Sequence, residues 1–234
     1  MTDDAPLSAD GGTPRRSSAG RWVVIGLAVL GVAALGFAIG RFSMFGTVAA
    51  PATPSTSSPE AGFSRDMQVH HAQAVDMAME IYRKTDDDDL RVLAYDIATA
   101  QAGQKGELYD WLVQWGLPQA GGPLMAWMAG TDAGHAHATA GGEQATDAEL
   151  RAEMGMATDA QLAELAAASG TEADCLFLEL MIRHHQGAVP MADALLDLGT
   201  DPRALVLAQG VKESQSVEIG AMEAMQLRLG CTTG

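Results

Sequence analysis

Met181-Ile182-Arg183-His184-His185 occurs a second time, as Met67-Gln68-Val69-His70-His71, 114 residues earlier. The two copies hold four of the chain's six histidines. An internal repeat sets an architecture before any local signal does, and this one continues at the same offset. Phe63 matches Phe177, Ala74 matches Ala188, Val75 matches Val189, Met77 matches Met191 and Ala78 matches Ala192. Further on, Ala94 matches Ala208, Ile97 matches Val211, Gln101 matches Gln215 and Gly116 matches Gly230. Two units of about 55 residues, each with a Met/His cluster, therefore form the body of the chain.

Each unit reads as a helical hairpin. Phe63, Met67, His70, Ala74, Met77 and Ile81 recur three and four residues apart, which is one face of a helix. Leu90, Ala94, Ile97, Gln101, Gln104, Leu108, Trp111 and Trp115 form the seam of a second helix, stopped by Gly116 and Pro118. The third seam is Asp174, Phe177, Met181, His184, Ala188, Met191 and Leu195, with Pro190 inside it as a predicted kink. The fourth is Ala204, Ala208, Val211, Gln215, Glu218, Met222, Met225 and Leu229, ended by Gly230. Sparse aromatic and β-branched residues favour helix over sheet. The fold class predicted is all-α, an antiparallel four-helix bundle made of two repeated hairpins.

The flanks are different. Residues 1–20 are polar and read as a disordered cytoplasmic tail. Within 21–45, Trp22 to Gly40 is an uncharged apolar run, close to the ~20 residues of a membrane span. Arg15, Arg16 and Arg21 precede it and Arg41 follows, which places the N-terminus in the cytoplasm and the domain outside. The expected localisation is the cell membrane, single-pass, with an extracellular or periplasmic domain. A cleaved signal peptide, giving a secreted protein, is the alternative. Residues 46–60 read as a Pro/Ser/Thr linker. The duplicated domain is then 61–231: hairpin one over 61–116, an irregular insert over 117–157, a short helix over 158–168 and hairpin two over 171–230. Residues 1–60 carry four basic and four acidic residues, so the whole net charge of −16 falls on 61–234. That argues against nucleic acid as a partner and suits cations.

Equal rise per residue fixes which positions are level across a hairpin. With turns near residues 87 and 201, Gln104 lies opposite His70 and Glu218 opposite His184. The expectation is one interior layer of His70, His184, Gln104 and Glu218, with Met67 and Met181 a turn away and Gln101 and Gln215 flanking as supporting groups. His71 and His185, about 100° further round their helices, are expected at the bundle's edge, as a second, accessible metal site or as half-exposed residues. A buried polar layer must be hydrogen-bonded or ligated. It is either a closed His/Gln/Glu network or a metal site, and two imidazoles, two thioethers and a carboxylate suit copper, as Cu(I) or Cu(II). A di-iron centre would need Glu-x-x-His twice, and Met67 and Met181 stand where those glutamates would be. In the insert, His135 and His137 with Met154 and Met156 form a possible auxiliary metal arm. Cys175 and Cys231 fall at nearly level ends of hairpin two, as a disulfide would require, with a copper-thiolate role the alternative.

The residues Asp174-x-x-Phe177-x-x-x-Met181-Ile182-x-His184-His185-Gln186-Gly187-Ala188-Val189-x-Met191-Ala192 resemble the signature of the domain-of-unknown-function family 305. The resemblance covers about residues 60–231, including Gln101 and Gln215-x-x-Glu218. It implies a ferritin-like bundle, commonly exported, with some members associated with copper binding and resistance. The first copy departs from the fuller motif, with Gln73 for Gly187 and Gln104 for Glu218, which would make one half the weaker binder. Three functions remain open. The first is extracytoplasmic copper sequestration or handover, with a possible metal-transfer partner. The second is a metal-free helical binding or scaffold module, and the third a mononuclear metal redox enzyme.

Overall fold

The computed structural model describes residues 53–129 and 145–231, together with residues 31, 32, 35 and 37. The chain divides into two compact units, Met1–Ala52 and Thr53–Gly234, and the second holds the repeat. From residue 53 on, the described residues form six α-helices: α1 Pro59–Lys84, α2 Asp88–Gln114, α3 Asp147–Glu153, α4 Asp159–Ala167, α5 Gly170–Leu198 and α6 Pro202–Leu229. A 3-10 turn occupies Ala126–Met128. The domain is an all-helical bundle. Among the described residues no helix is long and apolar enough to cross a membrane, and the expected span within 21–45 lies almost wholly outside them.

Helix α1 begins at Pro59, inside the stretch read as linker. Ser58 caps it by accepting from Ala61 N at 3.2 Å, Pro59 fills the first turn where no N–H is needed, and Glu60 suits the positive end of the dipole. Asp87 and Asp201 cap α2 and α6 in the same way, accepting from Leu90 N and from Arg203 N and Ala204 N. Helix α5 runs unbroken through Pro190.

The hairpins α1–α2 and α5–α6 meet through their first helices, α1 and α5, which run antiparallel and cross at the repeated motif. Glu60, at the start of α1, accepts from Thr200 N and Asp201 N at the turn of the other hairpin, at 2.6 and 3.1 Å. Its repeat mate Asp174, at the start of α5, meets the Thr85 hydroxyl at the turn of the first. Arg228 near the end of α6 forks onto Asp87 at 2.6 and 2.8 Å. Each hairpin therefore fastens the other's turn, as a pseudo-twofold demands.

Two apolar clusters flank the crossing. One contains Phe63, Met67, Leu108, Trp111, Met191 and Leu195, the other Met77, Ile81, Leu90, Ile97, Phe177 and Met181. Fully burying one side chain of this size contributes roughly 2–3 kcal/mol, so the two clusters are the main apolar contribution holding the helices together. The disulfide Cys175–Cys231 ties the start of α5 to the residue after α6, with Cα atoms 5.5 Å apart.

The described parts of the insert are not a surface excursion. Met125, Met128, Leu150, Met154 and Met156 are all buried in the first cluster. Met125 has a left-handed backbone, φ 59°, held by buried Asp66, whose Oδ2 accepts from Met125 N at 2.7 Å and Trp127 Nε1 at 2.8 Å. Burial pushes the Asp66 carboxyl up to about 6, against the pull of these two bonds and Arg65.

Candidate metal centre

All four motif histidines are fully buried, His71 and His185 included. Their expected place at the edge is corrected here. The reason is that α1 and α5 are the inner helices of the bundle, each packed on two sides. A 100° step lets His70 and His184 face each other across the crossing while His71 and His185 face their own hairpin partners. The His70 and His184 rings stack with centroids 3.6 Å apart and planes at 32°. The level argument picked the right heights on α2 and α6 but the wrong ring of each pair. Gln104 Oε1 lies 2.8 Å from His71 Nε2, and Glu218 Oε2 lies 2.6 Å from His185 Nε2.

The inner pair bonds to backbone. His70 Nε2 donates to the Met154 carbonyl at 2.9 Å, and His184 Nε2 donates to the His70 carbonyl at 3.0 Å. Because a carbonyl or carboxylate oxygen can only accept, each Nε2 carries a proton and donates it. None of the four Nδ1 atoms has a hydrogen-bond partner. Gln101 and Gln215, repeat mates on α2 and α6, are buried with both amide atoms equally unpartnered. Leaving such groups unpaired costs about 1–3 kcal/mol each, and eight of the ten buried side-chain atoms in that state among the described residues belong to these six side chains.

Burial dominates the electrostatics. It lowers His70 to about 4 and His71 to about 3, with neighbouring imidazoles pushing the same way, and holds His184 well below its ordinary value. These three rings are neutral at physiological pH.

The insert forms one wall of the layer, and it explains where the repeats differ. A Cβ at Gly187 would lie 1.9 Å from the Met154 carbonyl oxygen and 2.7 Å from Gly155 N, so the insert's backbone rests directly on α5 there. Gly155 itself has φ +71°, and a Cβ on it would lie 2.1 Å from the Arg183 carbonyl oxygen. At the mate of Gly187, Gln73 clasps Ala157 instead, donating to its carbonyl at 2.9 Å and accepting from its N–H at 2.7 Å. One of the two departures, Gln73 for Gly187, is thus the seat of the insert. Gln73, Gly155, Gly187 and Asp66 were not singled out from sequence as site-building residues. The mismatch of Gln73 with Gly187 was the signal available for two of them.

Of the other expected ligands, Met67 and Met181 are fully buried but fall in different apolar clusters, one on each side of the histidines. Met154 and Met156 are buried in the wall. His135 and His137 lie outside the described residues. Cys175 and Cys231 are joined to each other at one end of hairpin two, which removes thiolate from the metal question.

The donors fit a soft or borderline metal: four buried imidazoles, each with its Nε2–H end fixed and its Nδ1 without a partner, which is how supporting hydrogen bonds orient metal-ligating histidines. The rings are nevertheless packed on one another. Among the described residues no group of three or more His, Cys, Asp or Glu is spaced as a ligand set, so metal uptake would need the rings to turn.

Two hairpins crossed at a buried histidine layer define a class of helical bundle with a duplicated motif. The chain belongs to the family described as domain of unknown function DUF305, whose model matches residues 60–226. A family protein from Streptomyces coelicolor, described as secreted, is 37% identical; the match covers 77% of this chain and 99% of that one with a TM-score of 0.66. A DUF305 fragment from Deinococcus radiodurans is 33% identical, covering 76% and 99%, with a TM-score of 0.59. CopM, solved in Cu(I)-bound and Cu(II)-bound forms, is 26% identical; the Cu(I) form covers 73% of this chain and 96% of its own with a TM-score of 0.52. No curated protein matches the chain.

Proposed function

We propose that the domain binds copper in the extracytoplasmic space and sequesters it or hands it on, without turnover. The observation that carries this reading is the set of four buried imidazoles whose Nε2–H groups are all engaged and whose Nδ1 atoms have no partner. Neutral, lone-pair-bearing nitrogen is what a copper ion requires. Burial extends that state of His70 and His71 to acid pH, so protons compete with the metal only weakly. His70, His71, His184 and His185 would hold the ion, Met67 and Met181 would add thioethers, and Glu218 and Gln104 would orient the outer rings. The copper-bound forms of CopM and the Streptomyces relative's description as a secreted protein support the reading. The apolar run Trp22–Gly40 would deliver the domain across the membrane, as an anchor or as a cleaved signal.

The test is copper analysis of the purified domain titrated with Cu(I) and with Cu(II), beside His70→Ala/His184→Ala checked for helical content. The parent should retain copper through desalting and the variant should lose it. Equal retention by both would end the central-site assignment. The competing reading, a purely structural layer, is motivated by the stacking of His70 on His184. It predicts the same melting temperature with and without copper, whereas a ligand bound only by the folded state must raise it.

A further inference from the structure

The two halves of the histidine layer are unequal in charge. His185 donates to the carboxylate of Glu218 at 2.6 Å, and His71 to the neutral amide of Gln104 at 2.8 Å. Gln104 and Glu218 are repeat mates, both half-buried at the same height on the two outer helices. A strictly repeated site would carry two carboxylates or none, and this one carries one. The remaining groups of the layer are uncharged: the inner imidazoles, the carbonyls of His70 and Met154 that they bond, the Gln101 and Gln215 amides and the flanking thioethers. Arg183, next to His184 in sequence, is turned to the insert, donating to Gly155 O at 3.5 Å and Gln161 Oε1 at 3.0 Å.

We infer that this single carboxylate sets the charge of the ion the layer accepts, and that the site discriminates in favour of a monovalent soft cation over a divalent one. The inference rests on the copper reading above and deepens it. Charge inside a fully buried site is costly unless it is matched. The single carboxylate of Glu218, held on His185, matches the charge of a monocation, whereas a dication would bring a second positive charge that no group of the layer matches. Softness acts in the same direction, since thioethers prefer Cu(I). Gln104 is then the residue that keeps the site from being a divalent one, and Glu218 the residue that keeps it from being neutral.

Four proteins decide this: the parent, Gln104→Glu, Glu218→Gln and the double swap Gln104→Glu/Glu218→Gln. All are near-isosteric, and melts without metal report whether each folds. The readout is the ratio of Cu(I) to Cu(II) affinity, each measured by competition with a chelator of known affinity, with Ag(I) as a redox-inert monovalent check. Gln104→Glu should move the ratio toward Cu(II) by roughly tenfold or more, and Glu218→Gln toward Cu(I) by a similar factor, the scale of one charge pair at an effective dielectric of about 20. The swap conserves the charge count and should return the ratio to within about threefold of the parent. If either folded single variant leaves the ratio unmoved, the inference is overturned. A swap that behaves like Glu218→Gln alone also overturns it, because position rather than charge count would then matter. A parent that binds neither ion defeats the copper reading itself and this inference with it.

Discussion

Acidification should weaken the metal-free domain well above the range where most carboxylates titrate. His70, His71 and His184 are fully buried and neutral, with their folded values depressed from 6.5 to about 4, about 3 and well below, respectively. The unfolded chain therefore takes up protons first. The stability these residues contribute is complete above about pH 6.5 and is lost as pH falls from there toward the folded values. Between pH 7.5 and 5.5 His70 and His71 each cost about 1.4 kcal/mol, and His184 adds to the loss in the same direction. Asp66 works in the opposite sense. Its value is raised from 3.8 to about 6, so the native state protonates it first and regains about 0.8 kcal/mol over the same interval. Glu60 and Asp87 are lowered from 4.5 and 3.8 and act only at more acid pH. The net loss is about 2 kcal/mol before the contribution of His184, a large share of the 5–15 kcal/mol typical of a domain. Urea unfolding of chelated protein at pH 7.5, 6.5 and 5.5 should show the midpoint falling by about 1–2 M. Imidazole C2–H resonances of the folded protein should stay at their neutral positions down to pH 5.5 for these three residues. A midpoint constant across this range, or resonances of these three rings moving near pH 6.5, would falsify the assignment of neutral, desolvated histidines.

Two further outcomes test the scaffold around the layer. Gly187→Ala drives a Cβ to 1.9 Å from the Met154 carbonyl oxygen and 2.2 Å from its carbon, both backbone. It should cost about 3 kcal/mol in thermal unfolding by overpacking and expose the insert to limited proteolysis; a loss under about 0.5 kcal/mol would mean the insert does not rest on α5. Reducing Cys175–Cys231, or replacing both residues with serine, opens a closed loop of 56 residues. On chain-entropy grounds it should cost about 4 kcal/mol, with the helical content unchanged in native buffer; an unaltered unfolding midpoint would show the cross-link to be idle.

Much of the bundle is legible in one sequence because the signals are local or duplicated. The seams of α1, α2, α5 and α6 follow from three-and-four spacing, and the two hairpin turns from the acidic run Asp86–Asp89 at a helix start and from Asp201-Pro202. The Cys175–Cys231 pair follows from counting equal rise on two joined helices. The start of α1 was also written in Ser58-Pro59-Glu60, but their place at the end of a Pro/Ser/Thr-rich run concealed it. The site was legible only in height. Equal rise chose Gln104 and Glu218, but it cannot say which of two adjacent histidines turns toward them. That depends on α1 and α5 being packed on two sides, which is a property of the assembled bundle. The wall escaped sequence reading altogether. Met125, Met128, Met154 and Met156 lie among Gly, Ala and Pro with no helical period, and only the assembled fold shows that they enter the core.

The reciprocal fastening of turns has a consequence for what counts as one folding unit. Glu60 serves the turn of hairpin two and Asp174 meets that of hairpin one, while the His70 ring has its stacking partner, His184, on the other hairpin. A single hairpin cut from this chain would keep its outer pair, His71 with Gln104 or His185 with Glu218, yet it would present an open histidine face and lack its turn's cap. The minimal object is two hairpins. A gene encoding only one would make a protein complete solely as a symmetric pair, and the duplicated sequence has the form of such a pair joined end to end. Once joined, the connecting segment was free to become the Met-lined wall that only one side of the pseudo-twofold carries.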